Sequence, residues 1–237
     1  MGSTRNIAQA KDLGSLDIII PAAGVGRRMK SYGCKSLIKI DGSSSIIERQ
    51  INLIKKHLSF KKTILVSGFE SDKLMKNTPK DILKVENERY EVTNVVRSIG
   101  MGLRVSKAER ILIIYGDLVF NEITMSRMPD FTKSFVLTED CNEMSEDEVG
   151  CIVVNGRLEQ MLPDIPNKWS QISFFAGREL EILKKIAWDR KKETYFGFEA
   201  INSIIDKGGI FNAHKIRGSK IIDIDCSKDL SRVKEII

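Results

Sequence analysis

Apolar residues fall in short aliphatic runs at 16–21, 63–66, 82–85 and 111–115, each strand-length and apolar enough to predict burial on both faces. Between these runs the period changes. Ile47, Ile51, Ile54 and Leu58 recur at helical intervals behind Ser45-Ile-Ile-Glu48, which has the spacing of a capping box, and 94–105 carries a second helical pattern. Strands alternating with helices predict βαβ units and a mainly parallel central sheet. After Asp117 the strands come closer together, at 134–137, 150–154 and 158–161, and Asn155-Gly156 between the last two is a hairpin turn signal. A small antiparallel insertion is therefore expected. Strands at 169–175, 210–215 and 220–224 and helices at 179–186, 194–205 and 229–236 complete a three-layer α/β/α pattern with a mixed sheet. The chain has no internal repeat and no low-complexity linker.

With 237 residues, 42% of them hydrophobic and 30% charged, the chain is long enough for one large domain with a sizeable core. Residues 1–15, small and polar, read as a flexible leader, and 16–237 as a single domain. No apolar run reaches the roughly 18 residues of a membrane span, and 1–16 lacks the apolar core of a signal peptide, so a cytoplasmic location is expected. Cys34, Cys141, Cys151 and Cys226 are scattered without a C-x-x-C pair and read as free thiols. The net charge of +6 raises nucleic acid as a partner, but the lysines sit in short pairs such as Lys55–Lys56, Lys61–Lys62 and Lys184–Lys185. Those are solvated helix faces. Aromatics are only 7% and form no stacking platform, so neither nucleic acid nor membrane is the expected partner, and phosphorylated small molecules fit the charge better. Residues 139–148 hold six acidic residues and no basic one, which reads as a solvated loop, with metal binding the remoter alternative.

Three groups of residues carry candidate chemistry. The first is Ala22, Ala23, Gly24, Val25 and Gly26, followed by Arg27, Arg28 and, further on, Lys35. Small residues after a buried strand let backbone N–H groups approach a triphosphate, while Arg28 and Lys35 would neutralise charge on it. The spacing is neither a Walker loop nor G-x-G-x-x-G, and the plainer reading is a glycine-rich surface turn. The second is Asp117, at the carboxyl end of a buried strand, where open α/β sheets bind ligands and a carboxylate can hold Mg2+ against phosphates. The third is Asp223-Ile-Asp225, whose period of two places both carboxylates on one side of a strand. Asp225 with Asp117 makes a candidate Mg2+ pair, Asp223 stands beside it, and Asp229 reads as a helix-start residue.

These groups together resemble the nucleotide-diphospho-sugar transferase fold, a Rossmann-like architecture, and the nucleotidyltransferases within it. The resemblance spans most of 16–237. The family pattern G-x-G-[ST]-R-M followed by P-K-x-L is met by Gly24-Val-Gly26-Arg27-Arg28-Met29 and Cys34-Lys35-Ser36-Leu37, and a strand ending in G-Y by Ile64–Phe69 with Gly68. Asn87, Tyr90, Thr93, Asn94 and Ser98 resemble the N-x-x-Y-x-x-T-N-x-x-x-S stretch of phosphocholine cytidylyltransferases. The resemblance implies that Gly68, Asn94 and Ser98 lie near the nucleotide, that CTP is the favoured donor, and that Lys168 and Trp169 face the acceptor. As plainer readings, Asn94 caps a helix and Lys168 is exposed. Arg27 replaces Ser or Thr, Cys34 replaces proline, and Gly42-Ser43-Ser44 stands where relatives have G-K-P, which leaves the acceptor open.

The implied reaction is attack of an acceptor phosphate or phosphonate oxygen on the nucleotide α-phosphorus, with release of Mg2+-pyrophosphate. Lys35 would sit on the α-phosphate, Arg28 on the β and γ phosphates, and Asp117 and Asp225 on Mg2+. A phosphomonoester needs no protein base, since its second pKa is about 6, and His57 and His214 read as structural. Sugar-1-phosphate and methylerythritol-phosphate nucleotidyltransferases are alternatives, although the D-A-A-R-P segment of the latter is absent. A noncatalytic nucleotide-binding regulatory subunit is a further alternative, against which the joint presence of Lys35, Asp117 and Asp225 counts.

Overall fold

The computed structural model describes residues 14–26, 29, 32–40, 42–141 and 148–237. Its first half alternates β1 (Leu16–Ala22), α1 (Ile46–His57), β2 (Lys62–Ser67), α2 (Ser71–Lys76), β3 (Leu83–Glu86), α3 (Val95–Val105) and β4 (Arg110–Ile114). The second half runs β5 (Leu118–Phe120), α4 (Glu122–Ser126), β6 (Phe135–Glu139), β7 (Val149–Val154), β8 (Arg157–Pro163), β9 (Lys168–Ala176), α5 (Gly177–Trp188), α6 (Gly197–Ile205), β10 (Phe211–His214), β11 (Ile221–Asp223) and α7 (Ser227–Arg232).

One nine-stranded sheet has the order β3-β2-β1-β4-β9-β6-β10-β8-β7. Strand alternation divides its apolar residues between two cores. Ile19, Ile64, Val66, Ile111 and Ile113 face α3, α5 and α6, which contribute Val96, Ile99, Leu103, Leu180, Leu183 and Ile201. Ile18, Ile20, Leu65, Leu112 and Ile114 face α1, through Ile47, Ile51 and Ile54. The three layers follow directly. The capping box forms as its spacing predicts, with Glu48 N–H donating to Ser45 Oγ at 3.4 Å and Ser45 N–H to Glu48 Oε2 at 2.7 Å.

β1, β2, β3 and β4 pair in parallel. The antiparallel part is not a separate patch. β9 runs antiparallel to both β4 and β6, and the β7–β8 hairpin extends the same sheet. Asn155 and Gly156 close that hairpin with φ of 51° and 78°, the left-handed pair that a tight hairpin turn requires. β3 departs from the expectation of burial on both faces: it is the edge strand, and Leu83 is 39% exposed. The short β5, paired with β11, and the single-turn helices α2 and α4 carry too little periodicity to be read from sequence.

The expected leader mostly lies outside the described residues, but its last two positions belong to the fold: Arg110 donates from its backbone to Ser15 O and from its guanidinium to Gly14 O. Cys34, Cys151 and Cys226 are free thiols. Among the described residues, no helix is long and apolar enough to cross a membrane.

Candidate active site

Chain order reverses at β1, with β2 and β3 on one side and β4 on the other. Such a switch point opens a crevice at the carboxyl ends of the strands. The loops leaving β1 and β4 meet there, around a cleft of about 170 Å³ walled by Ala22, Ala23, Gly24, Gly26, Lys35 and Asp117. Asn94 and Ser98, from the start of α3, form the facing wall. Val25 lies half-buried on the same loop. Arg28, together with Arg27, lies outside the described residues.

Gly26 takes φ +57°, and a β-carbon there would lie 2.9 Å from Lys35 Cε, so the glycine leaves room for the lysine stem. Gly68 touches the loop rather than the cleft: a β-carbon on it would meet Tyr90 Cβ at 2.7 Å and Ala23 O at 2.8 Å. Phe69 N–H donates to Ala23 O at 3.1 Å, which ties the loop to β2.

Lys35 is where the expected residues converge. Its Nζ lies 2.5 Å from Asp225 Oδ1 and 3.4 Å from Asp117 Oδ2. Burial works against the ammonium's charge, but Asp117 and Asp225 together hold its pKa above the ordinary lysine value. Asp117 is not compensated to the same degree. Burial pushes its carboxyl up, Lys35 pulls it down, and Asp225 and Asp223 push it up again, so the net direction is upward. One ammonium faces more than one carboxylate, and the excess negative charge suits a cation. Asp117 and Asp225 offer the hard oxygen donors that Mg2+ prefers. Among the described residues no group of three or more metal-ligating side chains forms, so a bound ion would complete its shell with phosphate oxygens and water.

Asp223 and Asp225 both line the larger cleft, but they engage different lysines. β11 ends at Asp223, and Asp229 Oδ2 accepts the backbone N–H groups of Asp225 and Cys226, turning the chain into α7. Asp225 therefore meets Lys35, while Asp223 meets Lys168 at 2.9 Å and accepts from Gln171 Nε2 at 3.2 Å. Burial raises the Asp223 carboxyl pKa, but Lys168 outweighs it and holds the value low.

Lys168 is not an exposed surface lysine: its side chain is 14% accessible and also pairs with Glu148. Burial opposes its charge, and Asp223 and Glu148 raise its pKa. It lines a second, larger cleft of about 1440 Å³ that shares Asn94, Val95 and Tyr115 with the first. Trp169 lines that cleft but offers no open face. It is buried, donates its indole N–H to Ser173 Oγ at 3.1 Å and meets Tyr115 edge-on at 5.6 Å.

Asn87 and Asn94 stand in the 87–98 stretch named above, and Asn94 caps its helix as the plainer reading expects, whereas Gln50 has no place in the sequence reading. Asn87, fully buried, donates to Thr93 Oγ1 and Ser98 Oγ and so ties the 87–98 stretch together, while Asn94 caps α3 through Val95 N–H at 2.7 Å. Gln50 donates to Tyr115 O at 2.9 Å and Leu118 O at 2.7 Å, locking α1 to the Asp117 turn. Its signal was present: a lone amide on the apolar stripe of Ile47, Ile51 and Ile54. Glu139 ends β6 in the larger cleft rather than in a solvated loop, and burial pushes its carboxyl up to about 7. Glu148, at the other end of the acidic run, pairs with Lys168, and 142–147 lie outside the described residues.

The fold recurs in solved structures. The CTP:phosphocholine cytidylyltransferase from Streptococcus pneumoniae superposes with a TM-score of 0.74 at 18% identity, over 93% of this chain and 98% of that one. The inositol-1-phosphate CTP transferase from T. maritima gives 0.74 at 16%, over 92% and 96%. A nucleoside-diphosphate-sugar pyrophosphorylase from Vibrio cholerae RC9 gives 0.72 at 12%, over 92% and 99%. No curated protein matches the sequence. Residues 18–137, half of the chain, match one family over β1, the glycine loop, Lys35 and Asp117 as far as β6. With the nucleotide-diphospho-sugar transferase fold in place around them, the chain belongs to the MobA-like NTP transferase domain family.

Proposed function

We propose that the protein transfers a nucleoside monophosphate, CMP by preference, from a nucleoside triphosphate to a phosphorylated small acceptor and releases pyrophosphate. The observation that carries this reading is the Lys35 ammonium held between Asp117 and Asp225 where the two clefts meet. A triphosphate entering over Ala22–Gly26 would compete with these carboxylates for Lys35, which then neutralises charge on the α-phosphate. Arg28 is assigned to the β and γ phosphates. Asp117 and Asp225 would hold Mg2+, which when bound supplies charge neutralisation for the departing pyrophosphate. Lys168 stands on the acceptor side, oriented by Glu148 and Asp223.

An acceptor phosphate is largely ionised near neutrality, so in-line attack needs positioning rather than a general base. The two histidines agree with this: His57 bonds Glu122 at 2.9 Å and His214 packs edge-on against Phe135, away from both clefts. The preference for cytidine rests on the Asn87, Tyr90, Thr93, Asn94 and Ser98 stretch, which lines the smaller cleft. Two of the solved structures that share the fold are, by name, CTP-using enzymes.

The test is pyrophosphate release with Mg2+, crossing the four common nucleoside triphosphates with phosphocholine, phosphoethanolamine, simple phosphonates and sugar-1-phosphates. Acceptor-dependent release with CTP is expected. Silence across the panel with nucleotide still bound would favour a noncatalytic nucleotide-binding subunit instead.

A further inference from the structure

β9 carries a defect beside the larger cleft. Val136 of β6 pairs with Ser173 and Thr138 with Trp169, so β9 spends four positions where β6 spends two. Gln171 lies in the middle of this bulge with φ +57°, a left-handed conformation that disfavours any residue with a β-carbon. Regular alternation would put Gln171 on the face of Trp169 and Ser173, among apolar residues of the α3, α5 and α6 core. The bulge sends its amide to the cleft instead, where Nε2 donates to Asp223 Oδ2 at 3.2 Å. Inside, the Trp169 indole bridges the bulge to Ser173 Oγ at 3.1 Å. Outside, the Gln171 amide engages one oxygen of Asp223, and the other oxygen receives Lys168 at 2.9 Å. Strained backbone that persists in a folded chain is held by its surroundings, and strain of this kind gathers at functional sites.

We propose that Gln171 is a positioning residue for the acceptor: through Asp223 it fixes where the Lys168 ammonium stands, and thereby where the acceptor's phosphate binds. This rests on the nucleotidyl-transfer reading. It adds that the bulge is retained for aiming a side chain rather than for stability, because glycine would hold the same backbone with less strain.

The test uses the full chain with the acceptor and nucleotide that the release panel identifies. Gln171→Gly is expected to keep or raise the melting temperature, by about 2 °C where strain relief dominates. It should raise the acceptor KM by about tenfold or more, the scale on which misplacement of reacting groups acts. The nucleotide KM should stay within about twofold, because Lys35 and Asp117 do not touch Gln171. Gln171→Asn tolerates left-handed backbone but is one carbon too short to reach Asp223, and should match the glycine variant. An unchanged acceptor KM in Gln171→Gly, or wild-type KM in Gln171→Asn, overturns the proposal. A lower melting temperature with both KM values raised together also overturns it and leaves Gln171 a merely structural role. Wild-type silence on the whole panel is a different result, which removes the transfer reading and this proposal with it.

Discussion

Two glycines separate packing from phosphate contact. A β-carbon on Gly68 would lie 2.7 Å from Tyr90 Cβ and 2.8 Å from both Ala23 Cβ and Ala23 O. Carbon atoms rest about 3.5–4.0 Å apart, so Gly68→Ala is short of space by about 1 Å. None of the atoms met is the free end of a flexible side chain, so relief requires the loop at Ala23 to move away from β2 and strain the Phe69–Ala23 hydrogen bond. Overpacking of this kind costs about 1–3 kcal/mol. For a domain of this length that is a melting temperature lower by about 2–12 °C. A glycine loop displaced by about 1 Å should also lose on the order of 100-fold in kcat/KM for the nucleotide. Gly24 on the same loop is the contrast: nothing lies within 4 Å of where a methyl group on it would sit, and its φ is not left-handed. Gly24→Ala should therefore melt within about 2 °C of wild type. If backbone N–H groups here meet phosphate, the methyl blocks that approach, and losing one charge-assisted hydrogen bond should raise the nucleotide KM about tenfold to a hundredfold. The assays are thermal melting by circular dichroism and pyrophosphate release as a function of nucleotide. An unaltered melting temperature in Gly68→Ala would refute the packing reasoning, and an unaltered nucleotide KM in Gly24→Ala would refute the phosphate cradle.

Lys35→Ala and Asp117→Asn should each lower turnover by about 100-fold or more with the far-ultraviolet circular dichroism spectrum unchanged, and near-wild-type rates in either would remove the charge-neutralisation role. Ser45→Ala should cost about 1 kcal/mol, read as a drop in melting temperature of about 2–4 °C. Its partner Glu48 has a carboxyl lowered to about 2 by the Ser45 backbone N–H, the Ser45 hydroxyl and Lys39. That contribution is present above the unfolded value near 4.5 and lost as pH falls toward 2, so wild type and Glu48→Gln should differ in melting at neutral pH and converge in acid. Glu139 works in the opposite direction. Burial raises its carboxyl to about 7, against the pull of Lys168, so its favourable contribution is complete below 4.5 and lost as pH rises through 7. Glu139→Gln should melt above wild type at about pH 8, and a lower melting temperature there would contradict the burial account.

The sheet's parallel half was readable because β1, β2 and β4 are buried on both faces and the amphipathic helix after β1 has an explicit cap. Ile18, Ile19 and Ile20 need no alternation to declare themselves, and Ser45 with Glu48 marks where α1 begins. Lys35 and Asp117 were readable because the loop after β1 and the turn after β4 leave neighbouring strands of one parallel sheet at the same end, and Asp225 because it follows a short apolar run. What failed depended on contacts distant in sequence. The strand at 220–224 was readable and forms as β11, but β5 is a strand only because Leu118 pairs with Asp223 across about 100 residues of intervening chain, and the split of Asp223 and Asp225 between two lysines has no local signature. The ion pairs that bury Lys168 had no signal, because neither Glu148 nor Asp223 is near enough in sequence to suggest a pair. Trp169 lines the larger cleft beside Lys168, where Tyr115 and Ser173 hold its ring, a contact that the sequence did not signal.

The divergence of Asp223 and Asp225 has a chemical consequence. Two lysines stand on the two cleft walls, each held between two carboxylates: Lys35 by Asp117 and Asp225, Lys168 by Glu148 and Asp223. The carboxylates keep both ammonium groups charged despite burial, and they fix their positions before a ligand arrives. They also set a threshold, because an incoming anion must compete with them for each lysine. A phosphate oxygen carrying a full charge can do so, whereas a neutral hydroxyl cannot, which gives a physical basis for selecting phosphorylated partners on both sides.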